Sequence, residues 1–123
     1  MARRVLDVGN CVPDHAAIRG LLESSFGAEV VQVDGPEDTH RELTSGSFDL
    51  VLVNRKLDRD YSDGLEIIKA IKADPQLAPT PCMLISNYAD QQQLAVAAGA
   101  EYGFGKKELR SPATHERLSR FLA

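Results

Sequence analysis

The chain has 123 residues, a net charge of −4 and a hydrophobic fraction of 43%. This length predicts one domain, residues 1–123, with a single core. The acidic balance argues against a general electrostatic attraction to nucleic acid or anionic lipid. We expect a cytoplasmic protein that does not enter a membrane, since no segment approaches the roughly 20 apolar residues of a membrane span. Cys11 and Cys82 are expected to be reduced and buried, because they are far apart and form no metal-binding pair.

The first half of the chain alternates strand-like and helix-like patterns. Val5–Val8 predicts a first strand, and apolar residues at helical spacing over Ile18–Phe26 predict a helix that stops at Gly27. Glu29–Val33 predicts a second strand. A helix over Pro36–Leu43 is the weakest prediction, because this segment has little apolar face.

The alternation continues from the third strand, Asp49–Val53. Its residues are apolar on both faces, as a strand covered by helices on each side requires, and this favours a parallel sheet. The next helix carries an apolar stripe over Leu65–Ile71 and ends at Asp74-Pro75. A fourth strand is predicted over Pro81–Ser86.

The last third of the chain follows the same pattern. An alanine-rich helix over Leu94–Ala98 closes at Gly99, and a short fifth strand follows at Tyr102–Phe104. Ser111-Pro112 combines a helix cap with a first-turn proline and predicts a final helix. The residues of that helix expected to face inward are Leu118, Phe121 and Leu122.

Five strand-then-helix units predict an α/β fold with a doubly wound, five-stranded parallel sheet. In such sheets, ligands bind and functional residues lie outside the carboxyl ends of the strands. The residues that directly follow each strand are therefore the candidates for a functional site.

Four runs of the sequence carry a resemblance to a known family. They are 48–57 (FDLVLVNRKL), 63–66 (DGLE), 83–86 (MLIS) and 98–106 (AGAEYGFGK). Each is similar to the pattern at the same strand end, in the same order, in response-regulator receiver domains of two-component signalling and phosphorelays. The resemblance covers essentially the whole chain and implies the flavodoxin-like (βα)5 receiver fold.

The resemblance also implies a set of site positions. A working receiver has an acidic pair after strand one, a phosphoryl-accepting aspartate after strand three, a hydroxyl after strand four and a lysine after strand five. Here the degenerate receiver-site positions are Gly9, Asn10, Asn54, Ser86 and Lys106, of which only Ser86 and Lys106 match. The acidic pair is Gly9-Asn10 when counted from the strand, or Asn10-Cys11 when counted back from residues 13–15 (PDH), and neither placement supplies an acid.

The departures change the chemistry that the site can perform. Magnesium prefers carboxylate oxygens, and the acceptor aspartate acts as the nucleophile. With Asn54 at the acceptor position and no acid at the pair, we expect no metal, no cofactor and no phosphoryl transfer. Asp7 is the nearest acid, but it lies inside the strand. We interpret it as a hydrogen-bonded or partly exposed strand residue, and a surviving metal ligand stays as the alternative. Lys106 is expected to hydrogen-bond Asn54 or a nearby carbonyl.

Two further positions bear on switching. Lys107 stands where the family usually has proline, so we expect a trans peptide there. The aromatic switch position, three residues before the lysine, is Gly103. Without an aromatic side chain there, we expect the contact face of the domain to be presented constantly and not switched between two states.

Other readings of the sequence fit less well. The run 103–107 (GFGKK) lacks the first glycine and the final Ser or Thr of a phosphate-binding loop. The three histidines, His15, His40 and His115, lie on different helices without ligand spacing. No nucleophile elbow surrounds Ser86, which argues against a hydrolase.

A phosphorylation-independent protein-interaction module is the leading functional hypothesis, with a protein partner or a homodimer and no direct binding of nucleic acid. A ligand-responsive switch using the vacated pocket and a small flavodoxin-like enzyme remain as alternatives. The resemblance places the contact face on helix four, strand five and helix five. The candidate interface residues are Tyr88, Gln91, Gln92, Phe104 and Lys107.

Overall fold

The computed structural model describes residues 2–123. Five strands alternate with five α-helices, and a short 3₁₀ helix follows the last strand. The elements are β1 (Arg4–Val8), α1 (Val12–Phe26), β2 (Glu29–Val33), α2 (Pro36–Ser45), β3 (Leu50–Asn54), α3 (Leu65–Ala73), β4 (Cys82–Ile85), α4 (Ala89–Ala97), β5 (Glu101–Phe104), the 3₁₀ helix (Lys106–Glu108) and α5 (Pro112–Leu122).

The strands form one parallel sheet in the order β2-β1-β3-β4-β5. Each parallel connection needs a crossover, and the helices provide it. The predicted doubly wound receiver-type sheet is therefore confirmed. The chain order reverses direction at β1, so the carboxyl ends of β1 and β3 flank the point where such folds bind ligands.

Strand β3 is buried on both sides, as its apolar sequence predicted. Leu50 and Leu52 belong to a core shared with α1 and α5, whereas Val51 and Val53 belong to the opposite core beneath α2 and α3. All four side chains have no measurable exposure. The central strand therefore contributes side chains to both apolar layers.

Local signals set the helix ends. Gly27 adopts a left-handed conformation with φ of 63° and ends α1, a position that favours glycine. The Ser111 hydroxyl accepts a hydrogen bond from the Thr114 amide at the start of α5. The Asp63 carboxylate likewise accepts from the Leu65 amide at the start of α3.

Helix α2 forms although only Thr39 and Leu43 are buried along it. Its start is stabilised by Asp38, whose carboxylate accepts hydrogen bonds of 2.8 Å from the amides of Asp34 and Gly35. A carboxylate in the first turn also interacts favourably with the helix dipole. Capping therefore compensates for the narrow apolar face.

Within residues 2–123 no helix is both long and apolar enough to span a membrane. Both cysteines are free thiols. Cys82 is buried, and burial raises the pKa of its thiol to about 11. Cys11 is only half-buried, which corrects the expectation that both would be buried, because its thiol sits at the exposed start of α1 and donates to Asp14. The peptide between Lys106 and Lys107 is trans.

Candidate functional site

A cavity of about 180 Å³ opens at the carboxyl ends of β3 and β4. Three of the predicted site residues line it together: Asn54, Ser86 and Lys106. Arg55 and Lys56 from the loop after β3 also contribute to its wall. The alignment of strand ends thus brings the acceptor, hydroxyl and lysine positions to one place.

Asn54 uses its side-chain amide to hold neighbouring backbone. Its Nδ2 donates to the Lys56 carbonyl at 2.7 Å and to the Gly9 carbonyl at 3.4 Å. The amide therefore joins the loop after β3 to the loop after β1. An amide is not the carboxylate nucleophile that forms an acyl phosphate.

Lys106 binds Asp14, in the first turn of α1. Its ammonium donates to the Asp14 carboxylate at 2.7 Å. The expected bond from Lys106 to Asn54 or a carbonyl is therefore wrong, because a carboxylate is the better acceptor for an ammonium. The hydrogen bond from Lys106 lowers the pKa of Asp14 below its usual value. The positive charge at the end of β5 is thus compensated from within the chain.

Gly9 occupies a backbone conformation that disfavours a side chain. Its φ is +78°, in the region that side chains rarely adopt. A Cβ built there would overlap the Leu57 side chain. A larger residue at position 9 would therefore strain the backbone and require Leu57 to move.

Asn10 turns into the protein, away from the cavity. It is 2% exposed, and its Nδ2 donates to the Asp7 carboxylate at 2.5 Å. The second oxygen of Asp7 lies 2.6 Å from Nδ1 of His15. Burial raises the pKa of Asp7, while the bonds to His15 and Asn10 act in the opposite direction. Asp7 is therefore the hydrogen-bonded strand residue that the sequence favoured.

The donor set at the cavity does not fit magnesium. The amide of Asn54, the hydroxyl of Ser86 and the ammonium of Lys106 supply no carboxylate, whereas this ion is bound in proteins through one or more carboxylates. Among residues 2–123, no three His, Cys, Asp or Glu side chains converge as metal ligands. No chemical step through a metal follows from these residues.

Gln92 bridges α4 to the two last strands. Its Nε2 donates to the carbonyls of Leu84 and Ser86 at 2.9 and 3.1 Å, and its Oε1 accepts from the Gly103 amide at 2.9 Å. The register between β4 and β5 shifts between Met83 and Ile85. Gln92 forms its hydrogen bonds to Leu84 and Gly103 at this irregularity. A side chain at Gly103 would collide with the Leu84 carbonyl.

Two of the candidate interface residues are buried, so their prediction as surface residues is wrong. Gln92 and Phe104 are each 2% exposed, because one bridges the strands and the other belongs to the core beneath α1 and α5. Neither can form part of a contact surface in this structure. Tyr88 is 64% exposed, Lys107 is exposed and Gln91 is half-buried.

Sequence reasoning missed the roles of Asp14, His15 and Gln92. The available signal for Asp14 was that an ammonium at a sheet edge needs an acceptor, and Asp14 is the first acid after β1. Gln92 gave no signal, because its partners depend on the shifted strand register.

No family model matches the sequence. Receiver domains are among the solved structures that have the same fold. The signal receiver domain of a DNA-binding response regulator from Colwellia psychrerythraea is 23% identical over 96% of both chains, with a TM-score of 0.79. The receiver domain of a sensor histidine kinase from Pseudomonas aeruginosa, with magnesium coordinated in its active-site cleft, is 19% identical over 99% of this chain and 95% of its own, with a TM-score of 0.72. NtrX from Brucella abortus is 25% identical over 99% of this chain and 27% of its own, with a TM-score of 0.75. The chain therefore has the receiver fold.

Proposed function

We propose that this chain is a signalling domain of the response-regulator receiver family that binds a protein partner without accepting a phosphoryl group. The observation that carries the proposal is the acceptor position, where the Asn54 amide donates to the Lys56 carbonyl at 2.7 Å. No carboxylate nucleophile is present there for phosphoryl transfer. We accordingly propose a cytoplasmic binding module and not an enzyme.

The electrostatics of the site support the same proposal. Phosphoryl transfer relies on a metal to neutralise developing charge, together with a cationic side chain near the phosphoryl oxygens. A side chain at Gly9 would require Leu57 to move, and Lys106 pairs with Asp14. Both observations support a domain that is not activated by phosphoryl transfer.

The proposed contact surface lies on α4 and β5. Of the six most exposed large apolar side chains in residues 2–123, four belong to this region: Tyr88, Leu94, Val96 and Tyr102. Aromatic residues are enriched in interface cores. Because Gln92 fixes α4 to β4 and β5, we propose that this surface is presented constantly.

Amide NMR tests the loss of phosphoryl chemistry. Addition of magnesium with beryllofluoride should leave the amides of Asn54, Ser86 and Lys106 unshifted. The Asn54→Asp variant should also remain unlabelled by acetyl phosphate, because it restores the nucleophile without the metal. Saturable shifts in the wild type, or efficient labelling of the variant, would contradict the proposal.

A pair of tyrosine variants tests the contact surface. Tyr88→Glu should abolish self-association in sedimentation or capture of the partner from native extract. Tyr61→Glu is the matched control, since Tyr61 is 74% exposed in the loop before α3. If the two variants associated equally well or equally poorly, α4 and β5 would not form the contact surface.

A second candidate function is binding of a small anion in the cavity at the strand ends. Arg55 and Lys56 line it, and the Arg55 Nε is buried with no hydrogen-bond partner in the part of the chain that is described. Phosphate or sulfate oxygens would provide acceptors for these groups. Titration with inorganic phosphate should shift the Arg55 Nε resonance in the wild type, and an unchanged resonance at saturating phosphate would exclude this candidate.

A further inference from the structure

A groove with a volume of about 270 Å³ lies between α4, β5 and α5. Two exposed aromatic side chains line it, Tyr88 at the start of α4 and Tyr102 on β5. Two cationic side chains line it as well, Lys107 from the 3₁₀ helix and Arg117 from α5. The groove therefore combines apolar rings with positive charge on the surface proposed above for partner binding.

Positive charge is concentrated in this part of an otherwise acidic protein. Residues 106–120 contain five lysines or arginines and two glutamates, whereas the rest of the chain contains nine such cations and sixteen acids. Lys106 and Arg120 have acidic partners within the domain. Lys107 and Arg117 form no salt bridge within residues 2–123. A surface of one sign with unpaired charges attracts a partner of the opposite sign.

The Arg117 guanidinium is positioned at the groove by uncharged groups. It lies over the Tyr102 ring, 4.8 Å from the ring centroid, and its Nη1 donates to the Gly103 carbonyl at 3.3 Å. The other guanidinium nitrogens are neither hydrogen-bonded within residues 2–123 nor fully buried. A guanidinium held in this way can donate to an incoming carboxylate while losing little freedom.

Lys107 supplies the second positive charge. The Lys107 amide donates to the side-chain oxygen of Asn87 at 3.2 Å, which fixes the backbone beside the groove, and its side chain is exposed. Glu108 also lines the groove, but it is exposed and pairs with neither cation within residues 2–123. One negative charge reduces the attraction of two positive charges without cancelling it.

We propose that the groove between α4, β5 and α5 binds an acidic segment of a partner protein. Carboxylates of the segment pair with Arg117 and Lys107, and an apolar side chain beside them packs against Tyr88 and Tyr102. Aromatic residues and arginine are enriched in interface cores. This inference rests on the contact surface proposed above and adds the chemistry of its partner.

Two peptides serve as probes, acetyl-Ala-Leu-Asp-Glu-Leu-Ala-amide and its counterpart with Asn and Gln in place of the two acids. Amide NMR of the full chain should show saturable shifts at Gly103, Gly105 and Lys107 with the acidic peptide. This peptide should bind at least about threefold more tightly than its neutral counterpart. The difference should shrink in about 1 M salt, where the Debye length is about 3 Å.

Three variants locate the contact within the positive segment. Lys107→Gln should weaken binding of the acidic peptide about two- to fivefold, and Arg117→Gln at least as much. Arg110→Gln is the matched control, because Arg110 is an exposed cation of the same segment that lines a different cavity, beside α1. It should change the affinity less than about 1.5-fold. A thermal melt checks the Arg117 variant, which also loses the bond to Gly103.

Equal binding of the two peptides, absence of saturable shifts, or equal effects of Lys107→Gln and Arg110→Gln would each overturn the proposal. A dimer that buries the groove and that the acidic peptide does not dissociate would also overturn it, in favour of a second copy of this chain. If Tyr88→Glu nevertheless abolishes association, the contact surface stands and only the acidic partner is wrong. If Tyr88→Glu behaves as Tyr61→Glu does, the contact surface itself is wrong.

Discussion

Replacing Gln92 by leucine should destabilise the protein strongly, although the residue lies on a surface helix. Leucine fills a similar volume but removes the partners of the Leu84 carbonyl and the Gly103 amide, bonded at 2.9 Å each. A buried polar group left without its partner costs about 1–3 kcal/mol. We therefore expect the free energy of unfolding to fall by about 2–4 kcal/mol. For a chain of this size that corresponds to a melting temperature lower by roughly 8–16 °C.

The matched control is Gln93→Leu, the same substitution at the next position of α4. Gln93 is exposed, so its replacement should change the free energy of unfolding by less than about 0.5 kcal/mol. Urea titration followed by circular dichroism gives both values, with the slope showing that the transition stays two-state. Amide exchange at Gly103 should also become faster in the Gln92 variant alone. If the two variants agree within about 0.5 kcal/mol, Gln92 does not fasten α4 to the sheet.

Three further predictions concern the neighbourhood of the strand ends. Gly9→Ala should lower the free energy of unfolding by about 1–3 kcal/mol in urea titration, because φ is +78°. Gly20→Ala, which adds a methyl group in open space within α1, should instead raise it by about 0.5–1 kcal/mol. Equal effects of the two substitutions would refute the steric argument. Because the pKa of Asp7 is raised above 3.8 in the folded state, its contribution to stability is present at low pH and lost as pH rises through the folded pKa. The difference in unfolding free energy between wild type and Asp7→Asn should thus fall over the pH range just above 3.8, and a flat or rising difference would contradict this. Lys106→Gln should raise the pKa of Asp14, measured by carboxyl ¹³C NMR, and an unchanged pKa would show that the ion pair does not form in solution.

The fold could be predicted because its signals are local. The apolar run of β3, the stop at Gly27 and the Ser111-Pro112 cap each act within a few residues. These signals gave all five strands and the last helix close to their observed bounds. Alternation of strands and helices then left few possible sheet arrangements.

The candidate site could be predicted only in part. Asn54, Ser86 and Lys106 share a cavity because each directly follows a strand. The partner of Lys106 could not be predicted from its position after a strand. Asp14 is 92 positions away in the sequence and contacts Lys106 only because α1 packs beside the ends of the strands. Gln92 was taken for a surface residue because it begins a helix with few charges on the face that the resemblance implies, while its true environment depends on a shifted strand register.

The left-handed backbone at Gly9 constrains how this sequence could evolve toward metal-dependent chemistry. An aspartate at position 54 alone creates a nucleophile without a metal, so selection has nothing to favour. We expect an acid at position 9 alone to lower stability, because φ there is +78° and Leu57 would have to move. A smaller residue at position 57 alone is expected to open a void in the core, which is also destabilising. We therefore expect each single substitution on this route to be neutral or harmful, so that no single change of the acceptor residue restores activity.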